Sequence, residues 1–205
     1  MTKIDPQSRD QDTKLPEKLG RYRVLSQLGA GGMGHVYRVY DPVNERELAL
    51  KELKFDYPRA LHYFKREFRA VASLSHPHLV SLHDLYHEDG CYFYTMELVE
   101  GRDIYHFVNQ HNHIIRDSKL LCDSARLERV FQCLTQLLQA LDYLHSQGRI
   151  HRDIKPANIL VDTKGKLRLV DFGVIKEEIP GGEGQSLSQV FGTSTYFSPE
   201  QSLSS

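Results

Sequence analysis

The sequence predicts an α+β chain, β-rich with one helix in its first half and mostly helical in its second. Three observations carry that expectation. Between residues 20 and 53, short apolar–polar runs are broken by a glycine cluster and by Asp41-Pro-Val-Asn44. Residues 59–74 and 127–144 repeat apolar side chains every three to four positions. Finally, the turn residues Asp162-Thr-Lys-Gly165 separate two short apolar runs, 159–161 and 167–170.

The elements follow in order. Residues 1–19 are Asp-, Gln-, Lys-, Thr- and Pro-rich without periodicity and read as a solvated, disordered tail. Residues 22–28 form a strand that ends in Gly29-Ala-Gly-Gly-Met-Gly34, and residues 35–40 resume the β pattern. After the turn at Asp41-Pro42, residues 47–53 make a third strand, so the chain starts as β–glycine loop–β–turn–β. Leu61, Phe64, Phe68, Val71 and Leu74 then line one face of a helix, which His76-Pro-His78 stops. Residues 79–86 and 91–99 are strand-like, on either side of Glu88-Asp-Gly90. A helical pattern begins after Gly101, and the polar, His-rich residues 109–126 read as a helix end plus loop. Val130, Phe131, Leu134, Leu137, Leu138, Leu141 and Leu144 give a long stripe, expected to be a buried helix. The hairpin at 159–170 follows, and the boundary between the two halves falls near residues 98–103.

Composition narrows the function classes. A chain of 205 residues with 40% hydrophobic and 26% charged positions can bury a core without staples. The net charge of −1 gives no electrostatic footprint for nucleic acid, so none is expected as a partner. Three cysteines at no ligand-like spacing fit a reducing compartment. No apolar run approaches the ~20 residues of a membrane span, and the first residues lack a signal-peptide stretch. A cytoplasmic protein is expected. The eleven histidines include His83 and His87 four apart, and His106, His111 and His113 close together. No cysteine or carboxylate completes a tetrahedral set, so they read as solvated or structural.

Four segments could carry chemistry. Gly29, Gly31 and Gly34 would let backbone N–H groups approach phosphate oxygens, although a plain glycine turn has the same composition. A dinucleotide fingerprint would have to open a helix, and residues 35–40 are strand-like instead. Lys51 sits within an apolar strand, where its ammonium needs a phosphate or carboxylate unless the strand is an edge that lets it reach water. Glu67, on the following helix, is the natural partner. His151-Arg-Asp-Ile-Lys-Pro-Ala-Asn158 and Asp171-Phe-Gly173 offer Asp153, Asn158 and Asp171 as hard oxygen ligands or hydroxyl-orienting groups.

Taken together, these segments resemble the eukaryotic-type protein kinase family. Gly29-Ala-Gly-Gly-Met-Gly-His-Val36, Ala49-Leu-Lys51, the His151–Asn158 segment, Asp171-Phe-Gly173 and Ser198-Pro-Glu200 occur in that family's order. Leu74-Ser-His-Pro-His-Leu-Val80 and the run from Gly192 to Gln201 resemble bacterial serine/threonine kinases in particular.

The resemblance implies a bilobal fold, with an N-lobe over residues 20–98 and a partial C-lobe over 99–205. It puts a hinge near 97–103 and an activation segment at 171–200. It implies transfer of the ATP γ-phosphoryl group to protein serine or threonine hydroxyls, with Mg2+ or Mn2+ as the metal. Gly29, Ala30, Gly31, Gly32, Met33 and Gly34 would cover the phosphates. Lys51 would pair the phosphates and Glu67, while Asp171 and Asn158 would hold the metal. Asp153 would take the substrate hydroxyl proton, with Lys155 near the γ-phosphate. Val36, Ala49 and Leu160 would enclose the adenine, although on the residues alone they read equally as ordinary core packing. Glu97 and Val99 would offer hinge hydrogen bonds, Met96 would be the gatekeeper, and Asp103 would contact the ribose. Arg152 implies ordering of the activation loop by a phosphate, with Ser186, Ser188, Ser194 and Thr195 as candidate sites; a solvated serine loop is the alternative.

Three departures and two alternatives accompany the resemblance. The alanine often found two residues after Gly173 is absent, and residues 109–126 look like an enlarged linker. The chain stops five residues after Glu200, before helices the family normally adds, so a longer protein with further domains or a membrane anchor is expected. A nucleotide-holding scaffold that transfers nothing would have been favoured by loss of Lys51, Asp153 or Asp171, all of which are present. A small-molecule kinase is disfavoured by the segment from Gly192 to Glu200.

Overall fold

The computed structural model describes residues 15–31, 34–53, 65–66, 68–88, 90–109 and 124–171. A six-stranded antiparallel sheet is built from β1 (Lys18–Leu19), β2 (Tyr22–Gly31), β3 (Gly34–Asp41), β4 (Arg46–Leu53), β5 (Leu82–Glu88) and β6 (Cys91–Met96), in the spatial order β1-β2-β3-β4-β6-β5. The sheet thus starts at Lys18, inside the stretch read as a tail, because Lys18 and Leu19 pair with Arg23 and Tyr22. The β3–β4 turn is locked by one carboxylate. Asp41 accepts from the Val43 N–H at 3.0 Å, from Asn44 Nδ2 at 2.7 Å and from Arg21 Nη2 at 3.1 Å. Burial alone would raise the Asp41 pKa, but these donors hold it below the usual carboxylate range.

Alternation along the strands splits the sheet's two faces between two cores. Tyr37 and Val39 of β3, Leu48 and Leu50 of β4, and Phe93 of β6 close around Tyr22. Ala49, Leu53, Tyr94 and Met96 face the other way, into a larger core. That core receives α1, whose described helical residues are 65–66 and 68–72. Phe68 packs its ring 5.3 Å from that of Tyr94, and Lys65 Nζ lies 5.2 Å from the centre of the Tyr92 ring.

The second half contributes α2 (Ile104–Val108), α3 (Ser124–Ser146) and a three-stranded sheet of β7 (Gly101–Asp103), β8 (Ile159–Asp162) and β9 (Leu167–Leu169). The expected hairpin is β8–β9. The helix expected directly after Gly101 is preceded by β7, which a three-residue run with one glycine does not announce. Gly101 lies so close to the Val161 carbonyl that a Cβ would collide with it.

The two halves meet through the loop after α1. Val80 N–H donates to the Leu169 carbonyl at 3.0 Å, and Leu169 N–H donates to His78 at 2.8 Å. The His76 ring stacks on Tyr143 of α3 at 5.0 Å.

The expectation that the α3 stripe is buried needs correction. Cys133, Ala140 and Leu144 are buried, and Gln136 clamps the hairpin by donating to Gly165 O and accepting from Leu167 N–H, both at 2.9 Å. Leu127, Phe131, Leu134 and Leu138 are 44–66% exposed. The helix is apolar around more than one face, and the face with the small residues Cys133 and Ala140 is the one that approaches β9 closely enough to pack. Among the described residues, no helix is long and apolar enough to cross a membrane.

Candidate active site

A cavity of about 410 Å3 lies between the two sheets. Its roof is the β2–β3 hairpin, which contributes Gly29, Ala30, Gly31, Gly34 and Val36. Gly34 has φ +129°, and a Cβ there would run into the Glu52 carbonyl, so this position demands glycine. Ala49 and Lys51 of β4 form the back wall, Met96, Glu97 and Val99 the side, and Leu160 of β8 the floor. Gly32, Met33 and Glu67 lie outside the described residues, as do residues 172–205 with Ser198-Pro-Glu200 and the candidate phosphosites.

The polar end of the cavity gathers residues far apart in sequence. Lys51, only 5% exposed, forms an ion pair with Asp171, 120 residues away. Its β6 neighbour Tyr94 is buried, and burial, with the Asp171 charge second, pushes the phenol well above its ordinary pKa. Beside them, Asn158 Nδ2 donates to Asp153 Oδ2 at 2.9 Å and to the Asp153 carbonyl at 2.8 Å. Lys155 Nζ lies 3.0 Å from the same Oδ2, so two donors fix one carboxylate oxygen.

Two of the three described non-glycine residues with a left-handed backbone sit at this end, the third being Glu45 in the β3–β4 turn. Arg152 (φ 63°) and Asp171 (φ 59°) adopt left-handed conformations that side-chain-bearing residues seldom take. Such strain persists where surrounding contacts over-determine it, and it clusters at functional sites.

Of the sequence-predicted residues described, neither Asp153 nor Asp103 lines the cavity. Asp153 adjoins it through the lining residues Lys155 and Asn158, whereas Asp103 is placed apart. It caps α2, accepting from the His106 N–H at 3.0 Å, and pairs with the His106 ring. Burial opposes but does not outweigh these contacts, and its carboxyl pKa is lowered. Leu28, Leu98, Ala157 and Val170 also line the cavity and were not singled out. Each adjoins a recognised motif residue, which is the signal that could have found them. His151, buried at 2% exposure, joins Asp153 to the β9 end, a role that its place in the His151–Asn158 segment does not announce.

A profile of the protein kinase domain matches residues 22–203. This chain belongs to the protein kinase family. Among its curated relatives is the serine/threonine-protein kinase PrkC of Bacillus subtilis, 34% identical over 185 residues that make up 89% of this chain and 27% of PrkC. Another is the serine/threonine-protein kinase PknA of Mycobacterium tuberculosis, 32% identical over 192 residues, 90% of this chain and 42% of PknA. This kinase chain therefore spans less than half the length of either relative. The crystal structure of the Mycobacterium tuberculosis PknI kinase domain superimposes with a TM-score of 0.61 at 30% identity, covering 77% of this chain and 61% of that one. The fold is that of a bacterial serine/threonine kinase, a β-rich sheet lobe joined to part of the second lobe.

Proposed function

We propose that this kinase chain carries the ATP site and phosphoryl-transfer residues of an ATP-dependent serine/threonine protein kinase that autophosphorylates, signals and works in the cytoplasm. The observation that supports this best is the convergence of Lys51, Lys155, Asn158 and Asp171 at one end of one cavity, with Asp153 held beside it by Lys155 and Asn158. Phosphoryl transfer has a loose transition state, so catalysis is mostly positioning and charge neutralisation. A buried ammonium, a held carboxylate and hard oxygen donors supply both.

In this reading the glycine hairpin covers the triphosphate, and Lys51 neutralises its α/β oxygens, giving up part of its contact with Asp171. Val36 and Ala49 sandwich the adenine against Leu160, beside the gatekeeper Met96, while Glu97 and Val99 meet its edge with backbone groups. Asp153 accepts the proton of the attacking hydroxyl. Lys155 and Asn158 keep that carboxylate turned towards the hydroxyl, and Lys155 also faces the transferring group. The donor set suits Mg2+, which commonly takes one or two protein oxygens beside the phosphates. Asp171 and the Asn158 amide oxygen would hold it, since the Asn158 nitrogen is occupied by Asp153. When bound, the metal neutralises phosphate charge. Substrates on this reading are protein hydroxyls.

The test is intact mass of the full-length protein after incubation with Mg-ATP, beside Asp171→Asn. Mass gains in steps of one phosphate, absent from the variant, are expected. No gain from a folded protein that binds ATP would overturn the transfer chemistry and leave a nucleotide-holding scaffold.

A further inference from the structure

One residue ties together three segments that sequence motifs leave unconnected. Arg168 lies on β9, and its backbone pairs with Leu160, the floor of the cavity. Its Nε donates to both carboxylate oxygens of Glu97, at 3.2 and 3.4 Å. Its Nη1 donates to the carbonyl of Pro77, in the loop that follows α1. Glu97 is also held from the sheet side. Its backbone N–H donates to Ser81 O at 2.9 Å, and its Oε2 accepts from the Ser81 N–H at 3.4 Å.

We infer that Arg168 is a positioning residue for the adenine-reading edge, setting the distance between the floor at Leu160 and the hinge backbone at residues 97–99. This inference rests on the ATP-site reading above. A second arginine crosses the same region, Arg38, which bonds Glu47 and reaches Glu100 at 2.8 Å. Its side chain is 36% exposed and that of Glu100 is 71% exposed, so water screens the pair and it fixes little. The Arg168 and Glu97 side chains are 16% and 33% exposed, and the guanidinium keeps two partners, the Glu97 carboxylate and the Pro77 carbonyl. A planar fork with fixed donor directions holds such a three-way geometry where a single ammonium would not.

The phosphates are held elsewhere, by Lys51 and the glycine hairpin, so slackening the hinge should weaken recognition of the base specifically. The test compares Arg168→Ala and Arg168→Lys with the wild type in the full-length protein, using ATP and GTP as probes. Arg168→Ala is expected to lower ATP affinity about tenfold, as loss of one charged hydrogen-bonded contact would. It should also narrow the ATP-to-GTP preference, with kcat at saturating ATP changed much less than KM. Arg168→Lys should recover part of the preference. Without nucleotide, amide hydrogen exchange over residues 96–100 should speed up in Arg168→Ala while the strands β2–β4 keep their protection.

Loss of thermal stability with an unchanged ATP-to-GTP ratio and unchanged exchange at 96–100 would overturn the inference, leaving Arg168 as a structural residue alone. If Arg168→Ala fails to fold, Glu97→Gln weakens the same pair without a cavity and must give the same two signatures. A wild type that binds no ATP would sink the ATP-site reading, and the exchange measurement would still decide whether Arg168 holds the hinge.

Discussion

The backbone N–H of Asp153 donates to Nδ1 of His151 across 3.3 Å, while Nε2 of that ring meets the Val170 carbonyl at 3.2 Å. A ring whose Nδ1 accepts must carry its proton on Nε2. His151 therefore works as a directional spacer between the Asp153 loop and the strand end that delivers Asp171. His151→Phe keeps the bulk and removes both bonds. It should cost about 1–3 kcal/mol of stability and lower phosphoryl transfer by up to about 100-fold through misplacement of Asp153 and Asp171. Denaturant melts beside a transfer assay check both numbers.

Asp153→Asn separates binding from chemistry. Asparagine can still accept from Lys155 and Asn158, so the loop should keep its shape. ATP affinity should stay within about twofold, while transfer falls by about 10²–10⁴ with loss of the proposed proton acceptor. A binding titration and a transfer assay on one preparation measure the pair.

Two glycines of the same hairpin should behave differently. A Cβ at Gly34 meets the Glu52 carbonyl and requires a left-handed φ, whereas a Cβ at Gly29 meets open space. Gly34→Ala should cost at least about 1–3 kcal/mol of stability, and Gly29→Ala should leave it nearly unchanged. Thermal melts of the two variants test the order.

The His76–Tyr143 stack should weaken in mild acid. Burial, and secondarily His78, lowers the His76 pKa below its ordinary 6.5. The unfolded chain then takes up the proton first, so this contribution is present above about pH 6.5 and lost as pH falls through that range. Asp41 has a lowered pKa as well, and its contribution disappears only below about pH 4. Melting temperatures from pH 8 to pH 5.5 should fall for the wild type and fall less for His76→Phe.

The sheet lobe was legible because its strands alternate and its turn carries Asp41-Pro42, both local signals. The candidate residues Asp153, Lys155 and Asn158 could be picked out because they sit within one short segment. What the sequence hid was tertiary. Nothing local says that Arg168 will meet Glu97, 71 residues away, or that Asp103 will cap a helix instead of facing the cavity. The apolar periodicity of α3 showed a helix but not which side would be covered, since Phe131 and Leu138 are as apolar as Leu144 and only Leu144 is enclosed.

The core around Tyr22, Leu50 and Phe93 shares no buried residue with the core that lines the cavity. A molecule seated against Ala49, Met96 and Leu160 touches only the latter. Occupancy would then slow the opening of the lobe junction and leave the far side of the sheet to fluctuate at its own rate, as separate cooperative units do. One small chain would show two tiers of opening, of which only one responds to ligand.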